Sequence, residues 1–371
     1  MKIGIITIYD NTNIGNRLQN YALQTILLKY ADSVITIKNK PSSPSLMQRL
    51  KIKMNIGDSI FINHLMKHDR KVNFLEFNKR YIETSSKCYY YNREYHRKIE
   101  SCDFYCTGSD QVWNPELNIT GRLHFLEFSP RDCNFSYAAS FGVDEITEEY
   151  TDEVKKGLNN IKYISVREES GKKIVEKLTG RTDTETLIDP TLYLTSEEWE
   201  KVSAKPNVGY PRRYVVLYFL GGMGEMRKKE ILRVVAEHGL EVVDLFDKKS
   251  RYYSLGPSDF LYLIKNASLV CTDSFHASVF SFIFEIPLSI FPREGKQSNM
   301  GGRLTNLTEK FGLQDCIVKN DKISDKVWKV DYTYGKKMLQ SEKRKVDIYL
   351  ESVLLGQENG TVRFQNGRGR R

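Results

Sequence analysis

Apolar and polar positions along the chain repeat with two periods. Short runs rich in β-branched and aromatic residues read as strands: KIGIITIY from Lys2, DFYCTG from Asp103, NFSYAAS from Asn134, YISVRE from Tyr163 and TLID from Thr186. After the first of these the spacing becomes helical, and in RLQNYALQTILLKY residues Leu18, Tyr21, Ala22 and Ile26 share one face. Residues 40–100 break the rhythm with basic, mainly helical sequence that starts at KPSSPS, an excursion from the first domain. A second series follows AKPNVGYPRR, whose prolines and glycine mark a linker. Its strands are YVVLYFL, EVVDLF, SLVCTDS and PLSIF, and its helices include GEMRKKEILRVVAEHG and PSDFLYLIKNA.

Strand and helix in alternation specify α/β layers on mainly parallel sheets, and 371 residues exceed what one core usually supports. The expectation is two Rossmann-like domains facing a cleft, over 1–205 and 206–350, followed by a polar basic tail over 351–371. The carboxyl-end loops of both sheets then meet in one crevice, where open α/β sheets bind ligands.

Composition narrows the partners. No run of about 18 apolar residues is present to cross a bilayer, and MKIGIITIYD reads as a first strand rather than a signal peptide. The six cysteines are scattered without a C-x-x-C pair, which predicts reduced, mostly buried thiols in a cytoplasmic protein. The net charge of +9 favours anionic partners. The basic stretches carry no nucleic-acid-binding signature, so they read either as solvated surface or as a peripheral contact with anionic lipid at the inner face of the membrane.

Candidate chemistry gathers at strand ends. In SLVCTDSFHASVFSFIF, Asp273, Ser274 and His276 fall where a strand passes into a helix. That corner reads either as an anion site with an acid/base histidine or as a capped helix start. FYCTGSDQVWNP repeats the transition: Gly108 permits close backbone approach beside Ser109, Asp110 accepts a proton or a sugar hydroxyl, and Trp113 offers a face to a sugar ring. Capping and packing are the bland alternatives. Arg167 either forks onto a carboxylate or phosphate or pairs with Glu168 or Glu169, and Arg303 follows a Gly-Gly pair before an amphipathic helix. YFLGGMGE does not spell a dinucleotide fingerprint, and His64 with His68 complete no metal set.

Taken together, NIGNRLQNYALQ, TGSDQVWNP, SYAASFG, YISVREESG, LIDPTLYL, TDSFHASVFSFIFEIPL and MGGRLTNLTEKFGL resemble the polysaccharide pyruvyl transferase family over most of the chain. The resemblance implies a glycosyltransferase-B-like pair of domains and transfer of the enolpyruvyl unit of phosphoenolpyruvate onto two hydroxyls of a sugar, as a cyclic ketal in a cell-surface polysaccharide precursor. It implies His276 as the catalytic histidine, Arg167 near the donor, Asn16 in the first-loop motif, and no cofactor beyond the donor substrate. The acceptor is a sugar or a lipid-linked oligosaccharide. One departure stands out: Ser274-Phe275-His276 replaces the family's Arg-Leu-His, so a guanidinium is missing, which Arg303 is positioned to supply. A nucleotide-sugar glycosyltransferase and a noncatalytic glycan-binding protein remain the competing readings.

Overall fold

The protein is described by a computed structural model covering residues 1–10, 12–40, 58–90, 99–117, 121–294 and 301–356, without the side chains of 58–68, 90 and 301–303. Among the described residues eleven strands form two sheets, and the pairings of these strands are parallel. The first comprises β1 (Lys2–Ile6), β2 (Ser33–Lys40), β3 (Thr84–Tyr90), β4 (Phe104–Asp110), β5 (Asn134–Ala139), β6 (Ser165–Val166) and β7 (Glu185–Thr186) in the order β3-β2-β1-β4-β5-β6-β7. This is the doubly wound order with one strand added at an edge. β1 is central because both its faces are apolar and covered; Ile3 pairs with Val34 on one side and Phe104 on the other.

The second sheet orders β11 (Leu288–Ile290), β10 (Leu269–Thr272), β8 (Tyr214–Tyr218) and β9 (Glu241–Asp244) as β11-β10-β8-β9. Each domain is thus Rossmann-like, and the two face each other in the glycosyltransferase-B-like arrangement. They are not independent bodies: the largest core joins Ile3, Ile5 and Leu18 to Val216, Phe260 and Phe280.

Two expectations are corrected, and one further strand appears. The 40–100 segment is not simply helical: a helix spans Asp58–Tyr81, and β3 then enters the first sheet, so TSSKCYY is a strand despite its polar start. β2, SVITIKNK, is a strand that the periodicity did not single out. The polar tail does not begin at residue 351, because the C-terminal helix Thr333–Leu355 continues to a left-handed cap at Gly356. That helix also crosses back to the first domain, where the Tyr349 hydroxyl donates to the Ser136 carbonyl at 2.7 Å. Apolar residues Val346, Leu350 and Val353 along its inner face account for the crossing.

Candidate active site

β10 is fully buried and stops at Thr272, whose hydroxyl accepts the Ser274 N–H at 2.9 Å and turns the chain. Ser274 takes the N-cap position of the helix Phe275–Ile283 but makes no side-chain capping bond, leaving the first-turn N–H groups without that partner. Asp273 is wholly buried, and its carboxylate accepts Leu220 N–H at 2.7 Å and Gly221 N–H at 2.8 Å. The expectation that Asp273 meets substrate is therefore corrected: both its oxygens pin the loop that follows β8. Arg293 closes the corner, donating from Nη2 to the Asp273 carbonyl at 3.1 Å.

His276, in the first turn of this helix, reaches the other domain. Its imidazole lies against Gly15 in the first turn of the helix Ile14–Leu27, so closely that a Cβ there would come within 2.1 Å of Nδ1. Its Nε2 is 3.8 Å from Asp189 Oδ2. Asp189 is the N-cap of Pro190–Tyr193; its Oδ1 accepts the Thr191 N–H at 3.0 Å and the Thr191 hydroxyl at 2.6 Å. Its Oδ2 accepts Arg167 Nη1 at 2.7 Å and the Ser109 hydroxyl at 3.3 Å. Burial alone would push this carboxyl up, but His276, Arg167 and Thr191 together outweigh it and hold Asp189 below the usual carboxylate range. The result is a buried anion facing the imidazole.

Arg167 is shared among three acids: beyond Asp189, its Nε donates to Glu168 at 3.0 Å and its Nη2 lies 3.5 Å from Asp110. Burial opposes the guanidinium charge, and Glu168, Asp189 and Asp110 more than restore it. Phe275 provides a platform, its ring centre 5.0 Å from the guanidinium carbon. The residue that replaces the family leucine thus packs against Arg167.

Several expected ligands have other duties. Asp110 is drawn into the Arg167 cluster, its carboxylate turned to the guanidinium. Ser109 is fully buried and donates to the Ala138 carbonyl at 2.9 Å as well as to Asp189, so it supports the carboxylate instead of meeting substrate. Gly108 has φ +124°, and a Cβ would meet the Tyr137 carbonyl oxygen at 2.2 Å; its close approach is to β5 and not to a ligand. Trp113 is 0% exposed, packed against Phe125 and Phe141 with its indole N–H on the His124 carbonyl, and has no face for a sugar. Asn16 is buried in the first turn beside Gly15; its amide donates to Asp10, while its Oδ1 meets no donor among the described residues. The side chains of Arg303, His64 and His68 lie outside the described residues.

A cavity of about 190 Å³ adjoins this cluster, walled by Arg167, Asp189 and Phe275 on one side and Asn306, Leu307 and Lys310 on the other. The polysaccharide pyruvyl transferase family profile matches residues 13–293, the span that contains Gly15, Asp189 and His276. The chain belongs to the polysaccharide pyruvyl transferase family. No curated protein matches it. Among solved structures this pyruvyl transferase family member is similar to a putative UDP-N-acetylglucosamine 2-epimerase from Listeria monocytogenes, at 12% identity and TM-score 0.48, covering 96% of this chain and 97% of that one. It is also similar to the UDP-GlcNAc 2-epimerase of Methanocaldococcus jannaschii, at 13% identity and TM-score 0.45 over 94% and 99%. The E. coli ADP-heptose heptosyltransferase II follows at 11% identity and TM-score 0.30 over 94% and 100%. Likenesses this distant carry no argument about substrate.

Sequence reasoning missed Gly15, Asp189 and Arg293. Asp189 had a visible signal, since Asp-Pro-Thr is an N-cap followed by proline at the first helical position. Gly15 had none, because the imidazole it admits is 261 positions away in the sequence.

Proposed function

We propose that this protein transfers the pyruvyl unit of phosphoenolpyruvate onto two hydroxyls of one sugar, forming a ketal in a polysaccharide precursor, with His276 as the proton carrier. The observation that carries the reading is the cross-domain approach of His276 to the buried Asp189 carboxylate, which sets an acid/base group beside a fixed anion at 3.8 Å. The imidazolium gives its proton to the donor's terminal methylene carbon while one sugar hydroxyl adds to the central carbon and returns its proton to the imidazole. The C–O bond to phosphate then breaks, phosphate leaves with that electron pair, and the second hydroxyl closes the ketal, its proton going to the departing phosphate. Arg293, beside the serine that replaces the family arginine, and the uncapped start of the Phe275–Ile283 helix offer the positive ends for carboxylate and phosphate. Asn16 Oδ1 is an acceptor for a substrate hydroxyl.

The reading places the reaction in the cytoplasm; the cysteines are free thiols. Titration with phosphoenolpyruvate, uridine diphosphate and guanosine diphosphate tests the donor, with selective phosphoenolpyruvate binding expected. Binding of a nucleoside diphosphate alone would move the assignment to glycosyl transfer. With a glycan acceptor in hand, His276→Ala should keep the fold by circular dichroism and lose about 100-fold or more of turnover. Near-normal turnover would take His276 out of the mechanism.

A further inference from the structure

The C-terminal helix Thr333–Leu355 buries one face against both domains and turns the other outward over about 35 Å. The exposed charged residues of that helix, Lys336, Lys337, Arg344 and Lys345, are all cations. Of the acids around it, Glu342 is buried, bound by Lys310 at 2.9 Å and by Lys345 at 2.6 Å, Asp347 accepts from the Tyr30 and Tyr193 hydroxyls, Glu351 is half-buried, and exposed Glu285 pairs with Lys336, so Lys337 and Arg344 carry the outward charge. Among the cations stand single large apolar side chains, Ile348 at 62% and Leu355 at 51% exposure. With Lys337 and Arg344 they recur at intervals of seven, four and seven residues, which is one stripe of a helix. The Tyr30–Asp347 bond sets the end of the first helix beside the middle of this stripe, and there Leu28 is 48% exposed next to exposed Lys29.

We propose that this face docks on an anionic phospholipid bilayer. Cations with isolated apolar side chains between them match a headgroup layer, where the charges meet lipid phosphates and the apolar groups enter the acyl boundary. A protein partner would call for contiguous apolar surface, and a nucleic acid would leave Ile348, Leu355 and Leu28 unused. The sequence beyond Gly356 adds Arg363, Arg368, Arg370 and Arg371 against one acid, Glu358, so the excess of positive charge continues along the sequence. Among the described residues no helix is long and apolar enough to cross a membrane, and the contact is peripheral.

Flotation of the full chain with phosphatidylcholine vesicles, with and without phosphatidylglycerol, tests this directly. Binding is expected only with phosphatidylglycerol and should weaken with salt. Lys337→Glu with Arg344→Glu should reduce it by about tenfold or more, and Leu28→Glu with Ile348→Glu should reduce it comparably, both with unchanged melting temperature because the sites are exposed. Absence of binding to phosphatidylglycerol vesicles overturns the proposal. So does binding that survives both variants but vanishes when residues 357–371 are removed, which would place the contact in the tail. Retention by duplex DNA in place of vesicles overturns it as well.

Discussion

At position 15 the usual ranking of residues inverts. Alanine ordinarily favours a helix over glycine by roughly 0.5–1 kcal/mol, yet a methyl group here would overlap the His276 ring. Gly15→Ala should therefore lower thermal stability, by about 1–3 kcal/mol of overpacking at the junction, and lower kcat/KM by about 100-fold through displacement of the His276 imidazole from Asp189. A variant both stable and fully active would mean that the imidazole works from another position. His124 poses a different residue-scale problem. It is fully buried, and desolvation depresses its pKa to about 4. The unfolded chain takes up a proton near pH 6.5 and the folded one does not until about 4, so stability present above pH 6.5 is lost as pH falls through that window. The loss amounts to about 3 kcal/mol by pH 4, and His124→Gln should flatten that part of a melting-temperature profile between pH 4.5 and 7. An equally steep profile in the variant would assign the acid sensitivity to other groups.

At the scale of elements, the motif NIGNRLQN was visible in the sequence as a string, and the structure gives most of its letters a task. Asn13 caps the helix through Asn16 N–H at 3.3 Å, Gly15 admits His276, and buried Arg17 donates to the Ile8 carbonyl. Gln19 accepts the Ser109 N–H at 3.1 Å and Asn20 donates to Thr36 at 2.7 Å, tying the helix to β4 and β2. Apart from the Asn13 cap and the Ile8 carbonyl these partners are far away in sequence, and period and propensity speak only of local neighbours. The strand-to-helix corner at 269–283 was legible for the opposite reason, since a buried strand, a polar turn and a helix follow one another directly. β3 was illegible because it is an edge strand whose polar residues need no core face. The long helix Asp58–Tyr81 looked like an excursion, yet Arg70 reaches from it to the carbonyls of Tyr253 at 2.8 Å, Leu255 at 3.3 Å and Thr12 at 3.1 Å. A lone arginine in a basic stretch gives no sign that its charge will end in a domain junction. Here the junction holds the loop that leads into the His276 contact.

At the scale of the molecule, two sheets would ordinarily suggest two unfolding units. Three features argue against that: a core continuous from Ile3 to Phe280, the Arg70 junction, and a C-terminal helix whose Tyr349 hydroxyl lies 2.7 Å from the Ser136 carbonyl and 3.1 Å from that of Tyr163. Separating the domains would expose that core and strip buried carbonyls of their donors, which costs more than either domain could recover alone. Calorimetry should show one transition whose van't Hoff and calorimetric enthalpies agree. Tyr349→Phe should lower its midpoint, by a loss of about 1–2 kcal/mol, without splitting it. Two resolved transitions would mean that the domains fold apart, and the same independence would let His276 and Asp189 separate. The cooperativity of unfolding and the integrity of the His276–Asp189 contact are thus one physical question, because the surface that joins the domains is also the surface on which the imidazole is held.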